Sequence, residues 1–156
     1  MLAPPLQIAL DQFAAEQAAF AKWFFLVNPS PRSLAVQAEH IQREFAWTRV
    51  SIGACLAPQL APLTPRERTR QTARLLQACI VASATPVVCG DCDILFAPSL
   101  RLDPLTLFEH ISRRTPILLL WPGTFADGVL RYAVPEHASY RTWPIPPLLF
   151  PRIHVV

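Results

Sequence analysis

Pro86-Val-Val-Cys-Gly-Asp-Cys-Asp-Ile-Leu-Phe-Ala97, then Asp103-Pro104, then Ile117-Leu-Leu-Leu-Trp121, is the series that decides the fold of this chain. The first stretch reads as a buried strand, Val87–Gly90, ending in acids. Asp103 then caps a helix that opens on Pro104. Ile117–Trp121 is apolar at every position, as a strand covered on both faces must be. Upstream, Trp23-Phe-Phe-Leu-Val27 runs through Asn28-Pro-Ser-Pro-Arg-Ser33 into a helical pattern, which gives strand, short loop and helix in turn.

Outward from these segments, residues 4–21 read as an amphipathic helix within an N-terminal segment 1–22, with Leu6, Leu10, Phe13 and Phe20 near one face. Ser33–Phe45 reads as a helix, and Arg49–Leu56 as a strand because of its β-branched content. Thr64-Pro-Arg-Glu67 is a helix start with a capping box, and that helix is expected to run to about Val81. Leu105, Phe108 and Ile111 form the buried stripe of the next helix, closed by Arg113 and Arg114 at the negative end of its dipole. Pro122–Gly128 reads as a turn region, Val129–Val134 as an edge strand, and residues 140–156 as an extended proline-rich extension. Strands alternating with helices predict an α/β fold with a mainly parallel sheet of four to five strands and helices on both faces. Ligands of such sheets bind beyond the carboxyl ends of the strands. Residues 28–32 and the acids Asp91 and Asp93 are both expected there.

The chain has 156 residues, is 52% hydrophobic and 16% charged, and carries a net charge of +3. That length suits a single domain, 1–156. No apolar run reaches the ~18 residues that span a bilayer, and no basic-then-apolar leader is evident, so no membrane role and a cytoplasmic location are expected. The charge is too small to argue for nucleic acid unaided. Cys89-Gly-Asp-Cys92 is a C-x-x-C, but Cys55 and Cys79 stand apart and no histidine pair lies nearby. Reduced, partly buried thiols are therefore expected, with no metal site.

A phosphate-binding loop of the form G-x-x-x-x-G-K-[ST] turns consecutive backbone N–H groups inward around phosphate oxygens. In the loop Asn28–Ser33 both glycines are absent, and Pro29 and Pro31 have no N–H to give. Arg32-Ser33 alone echoes the Lys-Ser/Thr pair. Arginine keeps the charge but not the compact geometry of lysine.

From Val87 to Tyr140 the chain resembles BrxF, the small P-loop protein family of type-3 BREX phage-defence systems. The resemblance rests on Asp103, Pro104, Leu105, Ser112, Arg113, Trp121, Gly123, Gly128, Leu130, Tyr132, Ala133, Pro135, His137 and Tyr140, in that order. It implies a P-loop NTPase-like three-layer fold and a defence context. It gives Arg32 and Ser33 the Lys-Ser/Thr role, Asp91 the magnesium role and Asp93 an activating role. Trp121 falls where related ATPases place a polar sensor, and Arg113 or Arg114 is the candidate for an arginine acting in trans. The family carries an intact phosphate loop, and this chain departs from it at Asn28–Arg32.

The reading that follows is a non-catalytic, P-loop-ATPase-like assembly subunit of an antiphage complex, with no catalytic residue and no cofactor. Its partners would be other proteins of the complex or further copies of itself, with nucleic acid reached through them. One alternative is a divergent ATPase using Arg32, Ser33, Asp91, ATP and magnesium. Another is a DNA-binding accessory using Arg66, Arg68, Arg70 and Arg74.

Overall fold

The computed structural model describes residues 1–16 and 22–156. Helix α1 (Pro4–Ala15) buries Leu6, Leu10 and Phe13; Phe20, the fourth residue expected on that face, lies outside the described residues. Strand β1 (Trp23–Val27) leads into α2 (Pro31–Phe45). Then come β2 (Thr48–Ser51), α3 (Ile52–Leu60), α4 (Pro65–Cys79) and β3 (Val87–Gly90). Two 3-10 turns, Cys92–Phe96 and Pro98–Leu100, lead to α5 (Pro104–Ser112) and β4 (Ile117–Trp121). The chain ends with β5 (Gly123–Ala126), β6 (Val129–Tyr132), β7 (Arg141–Pro144), a 3-10 turn at Pro147–Arg152, and β8 (Ile153–Val155).

The main sheet has five parallel strands in the order β2-β3-β4-β1-β8. Because strand side chains alternate, each central strand serves two cores at once. Phe24, Leu26, Val88, Leu118 and Leu120 pack under α1 and α2. Trp23, Phe25, Val27, Val87, Cys89, Ile117, Leu119 and Trp121 pack on the other face, with α3, α4, α5 and the small sheet. Burial on both faces is why β1 and β4 are apolar at every position.

Several sequence expectations give way. Pro122–Gly128 is not a turn region throughout, because Gly123–Ala126 within it forms β5. Arg49–Leu56 is not one strand: β2 stops at Ser51, whose Oγ accepts the Ala54 N–H at 3.2 Å and caps α3. Ile52, Leu56 and Leu60 then recur at helical spacing, and all three are buried. Val129–Val134 is not an edge strand: β6 is the middle of a three-stranded antiparallel sheet, β5-β6-β7. The β5–β6 hairpin turns on Asp127-Gly128, both at positive φ (53° and 71°), which suits a tight two-residue loop. Residues 140–156 are not simply an extension, since they supply β7 to the small sheet and β8 to the main one.

A ring cluster joins the two sheets. Trp121 meets Phe96 and Trp143 edge-on, with centroids 5.0 and 5.2 Å apart, and Phe96 stacks on Tyr132 at 4.0 Å. The Trp121 indole N–H donates to the Arg131 carbonyl at 2.9 Å. At Gly123 a Cβ would lie 1.8 Å from that same carbonyl oxygen, so only glycine lets β5 pass.

Cys55 and Cys79, expected as separate reduced thiols, form a disulfide with a Cα–Cα distance of 6.1 Å. The antiparallel packing of α3 on α4 brings together residues 24 positions apart. Disulfides persist in oxidising compartments, so cysteine usage gives no support to a cytoplasmic location. No described helix is long and apolar enough to cross a membrane.

Candidate functional site

The chain leaves β1 in one direction along the sheet and leaves β4 in the other, so the switch point of this sheet lies between them. Next to it a crevice opens at the ends of β3 and β4, under the start of α2. It is lined by Pro31, Leu34, Ala35, Arg49, Gly90, Asp91, Asp93, Leu120 and Pro122, and holds about 50 Å³. Sites for drug-sized ligands run to about 300–1,000 Å³. This one has room for a water or two.

The loop beside it is closed by its own hydrogen bonds. The Asn28 N–H donates to the Trp121 carbonyl (3.1 Å), and the Asn28 carbonyl accepts from the Gly123 N–H (3.2 Å). Asn28 Oδ1 accepts the Ser30 N–H at 2.8 Å, an Asx turn, and its Nδ2 donates to the Val156 carbonyl at the end of β8. Ser30 caps α2: its Oγ accepts the Ser33 N–H (3.3 Å) and its carbonyl the Leu34 N–H (3.2 Å). Pro29 and Pro31 contribute no N–H. Among the described residues from 29 to 34, the Arg32 N–H is the one backbone donor outside these bonds. A phosphate needs several converging donors, and here nearly all of them face inward to the protein.

The expected site residues divide. Asp91 and Asp93 both line the crevice, whereas the exposed Arg32 and Ser33 do not. The cation at the crevice is instead Arg49, from β2, which the sequence reading passed over. Its signal was weak: one arginine in a short strand, brought to the acids only because β2 pairs with β3. Two carboxylates against one guanidinium make a poor phosphate site.

Asp91 is engaged structurally. Its backbone is left-handed (φ 52°), its Oδ2 accepts the Ser51 hydroxyl at 2.6 Å, and its carbonyl accepts the Gly53 N–H at 3.0 Å. It therefore clamps the β2–α3 junction to the end of β3. Asp93 lies close to Tyr132, whose hydroxyl is held above its ordinary pKa by burial first and by the Asp93 carboxylate second. Trp121 is buried in the ring cluster, and its polar atom is taken by Arg131.

Arg113 and Arg114 follow α5 at the opposite end of the sheet. There the Lys22 N–H donates to the Ser112 carbonyl and the Arg114 N–H to the Ile111 carbonyl. Both arginines are exposed, and Arg113, at the C-cap of α5, sits 3.9 Å from Glu109 in that helix.

The C-x-x-C is buried. Cys89 and Cys92 are free thiols; burial pushes Cys89 up to about 12 and Cys92 well above its ordinary value. Such thiols are inert towards exchange. Among the described residues, no group of three or more His, Cys, Asp or Glu side chains is placed to hold a metal ion. No protein-family model matches this chain, and no curated protein or solved structure does either.

Proposed function

We propose that this chain is a non-catalytic relative of the P-loop ATPases, acting as an accessory or assembly subunit of a bacterial antiphage defence system of the BREX type. The observation that carries the non-catalytic part is the closed switch point. The crevice holds about 50 Å³, and the adjoining loop has used its N–H donors on Asn28 and Ser30. The P-loop-like reading draws support from the parallel order in which β4 separates the loop-bearing β1 from the acid-bearing β3. The defence context rests on the sequence resemblance over Val87–Tyr140.

An assembly role is supported by apolar side chains left in solvent near the outer edge of the sheet. Leu148 is 87% exposed and Val155 61%, and β8 forms that edge. Other proteins of the complex, or further copies of this chain, are the proposed partners.

The test is complementation in cells whose phage resistance depends on this chain. Arg32→Ala and Asp91→Asn should leave protection intact, while the purified protein shows no magnesium-dependent ATP hydrolysis. Loss of protection in both variants, together with hydrolysis by the parent protein, would overturn the proposal.

A further inference from the structure

The arginines of α4 do not act as one face. Arg68 turns inward, where its Nε donates to the Leu60 carbonyl at 2.9 Å and a terminal nitrogen to Ala61 at 3.1 Å, latching the end of α3. Arg74 donates to Gln71 at 3.1 Å. Arg66 and Arg70, one turn apart, instead line a cleft of about 430 Å³ with Pro65, Thr69, Ser99 and Arg101. The Thr69 hydroxyl lies 3.2 Å from the Pro65 carbonyl and 3.5 Å from that of Ser99, which sets the Pro98–Leu100 turn against the helix.

Arg101 follows that turn in a left-handed conformation (φ 53°) and also lines a second cleft, of about 560 Å³. Tyr140 and Arg141 line it as well. Arg141 is fixed in place: it donates to the Leu102 carbonyl at 2.6 Å and lies 4.9 Å over the Trp143 ring. Among the described residues lining either cleft, Asp103 is the one carboxylate, and it is already engaged. Its Oδ1 accepts from the Leu105 N–H and the Trp143 indole N–H, both at 3.1 Å, and its Oδ2 from the Thr106 hydroxyl at 3.0 Å.

The fold thus joins two concave clefts through a shared arginine, with four guanidinium groups and one half-buried aromatic ring along them. A lone phosphate would need only one such concavity. A duplex is read by an element projecting into its groove, and these arginines lie in clefts. Grooves that combine positive charge with an aromatic platform suit single strands.

We propose that this double cleft binds single-stranded nucleic acid, with Arg66, Arg70 and Arg101 on its phosphates and Tyr140 stacked on a base. The site is remote in character from the closed switch-point crevice and stands whether or not nucleotide binds there.

The test is fluorescence anisotropy with a labelled oligothymidylate of about twelve nucleotides. With three to four phosphates neutralised, affinity should fall about 20- to 50-fold between 50 and 200 mM salt. Arg101→Gly removes the charge while suiting the left-handed backbone, and should weaken binding by about tenfold. Arg66→Ala with Arg70→Ala should weaken it and flatten the salt dependence by about 1.4 in log–log slope. Tyr140→Ala should weaken it while Tyr140→Phe does not, and Arg74→Ala should bind as the parent does. Thermal melts identify any variant that fails to fold; Tyr140→Ala and the paired α4 substitution keep the test open if Arg101→Gly is lost. No binding at 50 mM salt would overturn the proposal. So would equal losses in Arg74→Ala and Arg101→Gly, tighter binding of a duplex, or binding of inorganic phosphate without binding of the oligonucleotide.

Discussion

Replacing Asp91 distinguishes a structural clamp from a ligand-binding acid. Asp91 sits at φ 52° and ψ 45°, and it accepts the Ser51 hydroxyl at 2.6 Å. Asp91→Ala removes that acceptor. Since the residue is exposed, the loss lies at the lower end of the usual range, about 0.5–1 kcal/mol. Alanine also tolerates the left-handed backbone poorly, which adds about 1 kcal/mol. The expected total is about 1.5–2 kcal/mol. Asp91→Gly loses the same hydrogen bond but meets no left-handed penalty. Its greater chain entropy costs about 0.5 kcal/mol, for a total of about 1–1.5. The glycine variant should therefore be the more stable of the two by about 0.5 kcal/mol, against the usual ranking of alanine over glycine. Urea unfolding of both variants, read with a common m-value, measures the difference. If Asp91→Ala matches or exceeds Asp91→Gly, the clamp reasoning fails. If Asp91→Ala is more stable than the parent, Asp91 is an acid kept for a ligand at the expense of stability.

Three other outcomes follow from the structure. Closing a loop between residues 24 apart, the Cys55–Cys79 disulfide should contribute about 3.5 kcal/mol; urea unfolding with and without reductant measures it, and no difference would contradict the bond. Gly123→Ala places a methyl 1.8 Å from the Arg131 oxygen, so it should cost at least about 2 kcal/mol and weaken the near-UV circular dichroism of the Trp121 cluster; an unchanged spectrum and melting temperature would be inconsistent with that geometry. Burial raises Cys89 from 9.0 to about 12, and Cys92 and Tyr132 move the same way. The folded state therefore disfavours their ionised forms; for Cys89 this stability is complete below about pH 9 and declines towards pH 12, by up to about 1.4 kcal/mol per pH unit. The urea midpoint should drop between pH 8 and pH 10.5, less steeply in Cys89→Ala, and a flat profile would contradict the burial.

The elements legible in the sequence were those whose cause is local. β1, β3 and β4 announced themselves as short apolar runs because each is covered on both faces. α4 and α5 were marked by a capping residue followed by proline, and the Thr64–Glu67 box is present as expected. Misreadings arose where local and tertiary signals compete. Val50 and Ile52 suggested a longer strand, but the Ser51 cap and the 52–56–60 spacing favour helix. β7 and β8 have four and three residues among prolines, and the β8 partner Phe25 is remote in sequence from Ile153. Asp127-Gly128 did carry a hairpin signal within the segment read as a turn.

The candidate site was half legible for the same reason. Strand-end acids are visible in a sequence, so Asp91 and Asp93 were found. Arg49 was not, because it joins them only through β2–β3 pairing. The missing glycines gave notice of a changed loop. Its closure by Asn28 and Val156, 128 residues apart, needed the β1–β8 pair. Arg66 and Arg70 were visible as charges on a helix, but their shared cleft with Arg101 is a product of packing.

Titration calorimetry with ATP and ADP, with and without magnesium, tests the central claim most directly. The closed crevice predicts no saturable heat up to ~1 mM nucleotide, the range in which sites of only about −4 kcal/mol are detected. Saturable micromolar binding that requires magnesium and is lost in Arg32→Ala and Asp91→Ala would contradict it, and would make this chain a working nucleotide-binding protein.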